Sequence, residues 1–129
     1  MKVSDELLSK YLDDANDRHY ESFADYFEEC LDKVGLIKSD FVKRCRIERT
    51  YVYQILKGIR NPGREKILIM CIAAGLGLTL TQKALVIARE GILYYRDERD
   101  ALIINALNHG YNIVETNSLL EGNDLAVLM

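Results

Sequence analysis

The chain has 129 residues, 49% of them hydrophobic, and a formal net charge of −3, which suits one compact domain, or a small domain with an appended helical lobe, built without staples. One proline, eight glycines and the lack of any low-complexity tract argue against long disordered linkers. No run of about 18 apolar residues occurs, so no membrane-spanning helix is expected; Met1–Glu6 lacks the basic-then-apolar order of a secretion signal, so the expected location is cytoplasmic.

Apolar residues recur at steps of three and four and never alternate over any length, so the chain reads as all-α. A first helix, within residues 1–19, is expected to start after Ser4, with Asp5 and Glu6 in its first turn and Leu7, Leu8, Tyr11 and Leu12 buried. A second is expected from Tyr20 to Val34, burying Phe23, Tyr26, Phe27, Cys30, Leu31 and Val34 and stopping at Gly35. Two short helices follow at Lys38–Cys45 and Glu48–Lys57, then one at Gly63–Ala74 that stops at Gly75. Thr79 with Gln82 has the form of a capping box for the next helix, which would stop at Gly91. Asp97 is the expected cap of a helix burying Leu102, Ile103, Ala106 and Leu107, and Asn112 with Glu115 repeats the capping-box pattern for the last. The final Leu125–Met129 is apolar and is expected to dock on something, a second subunit being one option.

Cys30, Cys45 and Cys71 are widely spaced within apolar patterns, and neither they nor His19 and His109 form the closely spaced pairs of a metal site. Reduced core thiols are expected, with no metal and no cofactor. The run Arg96-Asp97-Glu98-Arg99-Asp100 has neither a nucleophile nor a metal partner nearby and reads as a charged helix start. With no phosphate-cradling glycine loop and no Ser/His/Asp order, no enzyme is expected.

The charge is unevenly spread. Residues 1–32 carry 3 basic and 10 acidic side chains, residues 33–66 carry 10 basic and 3 acidic, and residues 67–129 carry 4 basic and 7 acidic. The positive segment coincides with the two short helices, where contacts to phosphate would be needed. If Val52 and Ile55 face inward, the 100° helical step leaves Arg49, Thr50, Tyr53, Gln54 and Lys57 on the outer arc. Arg pairs with guanine, Gln with adenine, and Thr or Tyr meets a thymine methyl or a phosphate, so Arg49, Thr50, Tyr53 and Gln54 are the candidate base readers. Lys38, Arg44, Lys57 and Arg60 are the candidate phosphate contacts.

Gly35-Leu36, Ile47 after the turn, and the close Gly58-Ile59-Arg60-Asn61-Pro62 resemble the Cro/phage-repressor (XRE-like) helix-turn-helix family. Lys38-Ser39-Asp40, Arg49–Ile55, Leu93-Tyr94, Arg99-Asp100-Ala101 and Ala106–Gly110 resemble small bacterial regulators with a helical C-terminal extension. The resemblance covers residues 20–122 or so. It implies a repressor-like helix-turn-helix bundle of four to five helices over residues 20–78 and a C-terminal extension over 79–129, used in dimerisation or simply to complete the core. Departures from the family pattern are Arg46 where glycine is usual, Val42 for a small alanine, Glu48 for a Ser or Thr cap, and Lys38 for a polar amide. The implied function is sequence-specific binding of duplex DNA as a transcriptional regulator, a repressor acting as a homodimer. The alternative is a protein-interaction adaptor or antitoxin on the same scaffold, bound to a protein partner.

Overall fold

The computed structural model describes residues 22–129. The helix expected from Ser4, with its apolar residues, and His19 and Tyr20 fall outside them. Among the described residues the chain forms seven α-helices and no strand: α1 Phe23–Val34, α2 Lys38–Cys45, α3 Arg49–Leu56, α4 Arg64–Ala73, α5 Leu78–Ile87, α6 Glu98–Asn108 and α7 Ile113–Gly122. No described helix is long and apolar enough to cross a membrane.

Local chemistry fixes most of the helix ends. Ser22 accepts a hydrogen bond from the Asp25 amide and so starts α1. Gly35 ends it at φ 71°, and the Leu36 amide donates back to the Leu31 carbonyl, the closing bond of a left-handed cap. Val34, expected in the buried stripe, is 43% exposed, because the chain turns away at Gly35. Phe23 stacks on Phe27 within α1, and the Phe27 ring meets that of Phe41 at a tilt, which joins α1 to α2.

Helix α4 is the central rod. Ile67 to Ala73 are all buried, on every face rather than one, which is the pattern of a helix surrounded by others. One apolar cluster runs continuously from Phe23 through α4 and α5 to Ile103, Leu120 and Leu128, across the 78/79 division.

Two further expectations, both about α5, need correction. Thr79 does not cap α5: that helix begins at Gly77 with no side-chain cap. Gln82 is 2% exposed, and its amide is taken by both the N–H and the carbonyl of Leu93; two buried backbone groups outbid an exposed helix end. The left-handed residue after α5 is Arg89 (φ 59°), not Gly91. The C-terminal tail docks on its own chain, with Leu128 buried, the Asn117 amide bonded to both the Leu128 N–H and carbonyl, and Arg99 donating to the Ala126 and Val127 carbonyls. A second subunit is therefore not needed to cover Leu128.

Candidate nucleic-acid interface

Helices α2 and α3 are joined by the three residues Arg46, Ile47 and Glu48. Their packing comes from Phe41, Val42, Cys45, Val52, Ile55 and Leu56, all buried. Arg46 takes the left-handed conformation (φ 57°) that the turn requires, a strained choice for a residue with a Cβ. Glu48 is the N-cap of α3, and its two carboxylate oxygens accept from the Thr50 and Tyr51 amides at 3.0 and 2.8 Å. Those bonds, that from Tyr51 foremost, hold its carboxyl below the usual range. The Glu48 carboxylate stays ionised and is turned to the helix's own amides.

With Val52 and Ile55 buried, Arg49 and Thr50 are exposed and Tyr53 and Gln54 half-buried, which is the phase expected of the outer arc. The Arg49 guanidinium lies 5.5 Å above the Tyr53 ring. Gln54 Oε1 accepts from Arg60 Nε at 2.9 Å, and the same guanidinium stacks on Tyr51 at 5.0 Å. The Gln54 main-chain carbonyl also accepts the amides of Ile59 and Arg60, so the loop after α3 folds back onto the helix. Gly58 (φ 77°) makes this fold-back possible, with Ala24 close beside it. A helix of eight residues is about 12 Å long, the width of a major groove.

The phosphate candidates divide. Lys57 and Arg60 are exposed at the end of α3. Lys38 shares a shallow groove with Ser39 and Tyr53 and pairs with Glu28 at 3.4 Å, an exposed bond weak enough to be exchanged for another anion. Arg44 is not brought to them; it lines a different groove with Lys43, Arg46, Gly75 and Tyr111.

Two features of the surroundings escaped the sequence reading. Tyr51, beside inward-facing Val52, supplies the ring under Arg60. Arg64, counted in the basic segment, is turned away: it grips the buried Asp100 carboxylate with two bonds and donates to the Gly91 and Ile92 carbonyls. Asp100 also accepts the Tyr94 amide, and Asp97 caps α6 through the Asp100 amide. The acidic run thus has structural partners. Both pairings span too much sequence to show as a local pattern.

The three thiols are buried. Burial pushes Cys45 up to about 12 and raises Cys30 and Cys71, so they are inert. Among the described residues no group of three or more His, Cys, Asp or Glu is placed to hold a metal ion.

Compared with known proteins, the chain matches no family model, no curated protein and no solved structure.

Proposed function

We propose that this chain is a transcriptional regulator that binds duplex DNA by laying α3 in the major groove. The observation that carries the reading is the outer face of α3. Arg49 stacked on Tyr53 and Arg60 bonded to Gln54 present ordered donors on a helix of groove length. They stand within the segment that holds most of the chain's positive charge. Arg49, Thr50, Tyr53 and Gln54 face the bases, and Lys38, Lys57 and Arg60 the backbone. Arg44 reaches phosphate only if the duplex extends across its separate groove. The regulator acts in the cytoplasm as a homodimer, because one short reading helix contacts few base pairs. The outer faces of α6 and α7, with Val114 exposed, are the surface offered for pairing, since the tail is already engaged.

One observation favours a protein-binding adaptor or antitoxin instead: Ile59 is 72% exposed beside Arg60, an apolar tip that suits a protein partner. Selection of bound duplexes from random sequence decides between them. Recovery of one enriched motif, with affinity falling steeply as salt rises, is the expected result. No enrichment, or affinity flat with salt, removes the DNA reading.

A further inference from the structure

A cavity of about 650 Å³ opens between the turn, α4, α7 and the C-terminal tail. That volume is in the range of small-molecule sites. Its walls are mostly apolar: Ile47 from the turn, Ile69 from α4, Ile113 from α7 and Leu128 from the tail, with Tyr51 of α3 at one side.

The polar groups around it fall into two sets. Glu48 is occupied by the Thr50 and Tyr51 amides, and Asn117 by both backbone groups of Leu128. Arg46 and Lys66 also line the cavity, and among the described residues neither has a hydrogen-bond or ion-pair partner. The side chains with donors left for a ligand are therefore the cations Arg46 and Lys66, while the Glu48 carboxylate, ionised as well, has its oxygens turned to the α3 amides.

Tyr51 belongs to this cavity and to the outer face of α3 at once. The Arg60 guanidinium lies over its ring, and Arg60 is bonded to Gln54. A ligand that shifts the ring shifts the arginine stacked on it.

We infer that this cavity binds a small organic anion with an apolar body, of the medium-chain carboxylate class, and that its occupancy alters the hold of α3 on DNA. The regulatory half rests on the DNA-binding reading; the site itself does not.

The test uses the full chain without DNA, labelled with ¹⁵N and titrated with octanoate, octanol and inorganic phosphate. Octanoate is expected to give saturable amide shifts at Ile47, Tyr51, Ile69 and Leu128. Octanol, lacking the charge, binds about three- to tenfold more weakly, and phosphate, lacking the apolar body, gives no shift there. Lys66→Gln and Arg46→Asn each weaken octanoate by about the same three- to tenfold factor; asparagine tolerates the left-handed turn, so the fold survives. Octanol binding as well as octanoate, phosphate binding at the same amides, or shifts confined to other residues overturns the site. With a duplex recovered by selection, saturating octanoate should change its Kd by about fivefold or more. An unchanged Kd, or no recoverable duplex, overturns the regulatory half, while the DNA-free titration still decides the site.

Discussion

Gln54 and Arg60 are joined twice, once through the side chains at 2.9 Å and once through the Gln54 main-chain carbonyl, which accepts the Arg60 amide at 3.3 Å. A residue on the outer arc of α3 thus holds an arginine of the loop that follows the helix.

The first prediction follows from that pairing. Gln54→Ala and Arg60→Ala should each reduce affinity for the selected duplex by about 1–3 kcal/mol, but the double variant should lose less than the sum. A coupling of about 0.5–1.5 kcal/mol in a double-mutant cycle is expected. Lys57→Ala should instead weaken all sequences equally and lower the salt slope by about one unit. Full additivity would mean that Gln54 does not position Arg60 on DNA.

A second prediction concerns the turn. Arg46 is left-handed at φ 57°, so Arg46→Gly should stabilise the protein by about 0.5–1 kcal/mol, relief of backbone strain outweighing the extra freedom of glycine in the unfolded chain. Urea unfolding reads this directly. Arg46→Ala, which keeps a Cβ, should not stabilise.

The Arg64–Asp100 pair makes the third. Asp100 is 7% exposed and holds both Arg64 and the Tyr94 amide. Asp100→Ala should cost about 3–5 kcal/mol, because it strands a mostly buried guanidinium. Asn117→Ala, which frees the Leu128 backbone, should cost about 1–3 kcal/mol. A urea series in which Asn117→Ala proves the costlier of the two would contradict this ordering.

Acid should loosen the tail before the rest. The Arg99 guanidinium beside Glu65 holds that carboxyl below its ordinary value of 4.5, and the Met129 amide adds to this. A carboxyl depressed in the folded state contributes stability that is complete above the unfolded value and is lost as pH falls through the folded one. The protection factor of the Leu128 amide against hydrogen exchange should therefore fall below about pH 4.5. In Glu65→Gln that protection should already be low at neutral pH and change little with acid.

The three thiols give a last check. Buried and raised above the usual thiol range, they should resist iodoacetamide at pH 8 in the native protein and react at the rate of unfolding. Rapid modification of any one would show an opening near α4.

What was legible in the sequence was what is decided locally. The phase of α3 follows from Val52 and Ile55, the stop at Gly35 from a missing Cβ, and the start of α7 from Asn112 and Glu115, whose reciprocal bonds form as expected. Thr79 and Gln82 carry the same spacing yet do not cap, because Gln82 meets the backbone of Leu93, 11 residues on. Arg64 reads as one more cation of the basic segment until Asp100, 36 residues away, is beside it. The stack of Arg60 on Tyr51 depends on a fold-back at Gly58 that no periodicity reports.

The grip of residues 99 and 100 on the first turn of α4 has a consequence for synthesis. While the chain emerges from the ribosome, the segment through Ala73 appears first, with Arg64 and Glu65 lacking their partners and the apolar residues Ile67 to Ala73 uncovered. The half that carries α2 and α3 is therefore not an early, self-sufficient foldon. It matures only after α6 has cleared the exit tunnel, so a ribosome stalled before that point displays a sticky helix to chaperones rather than a finished bundle.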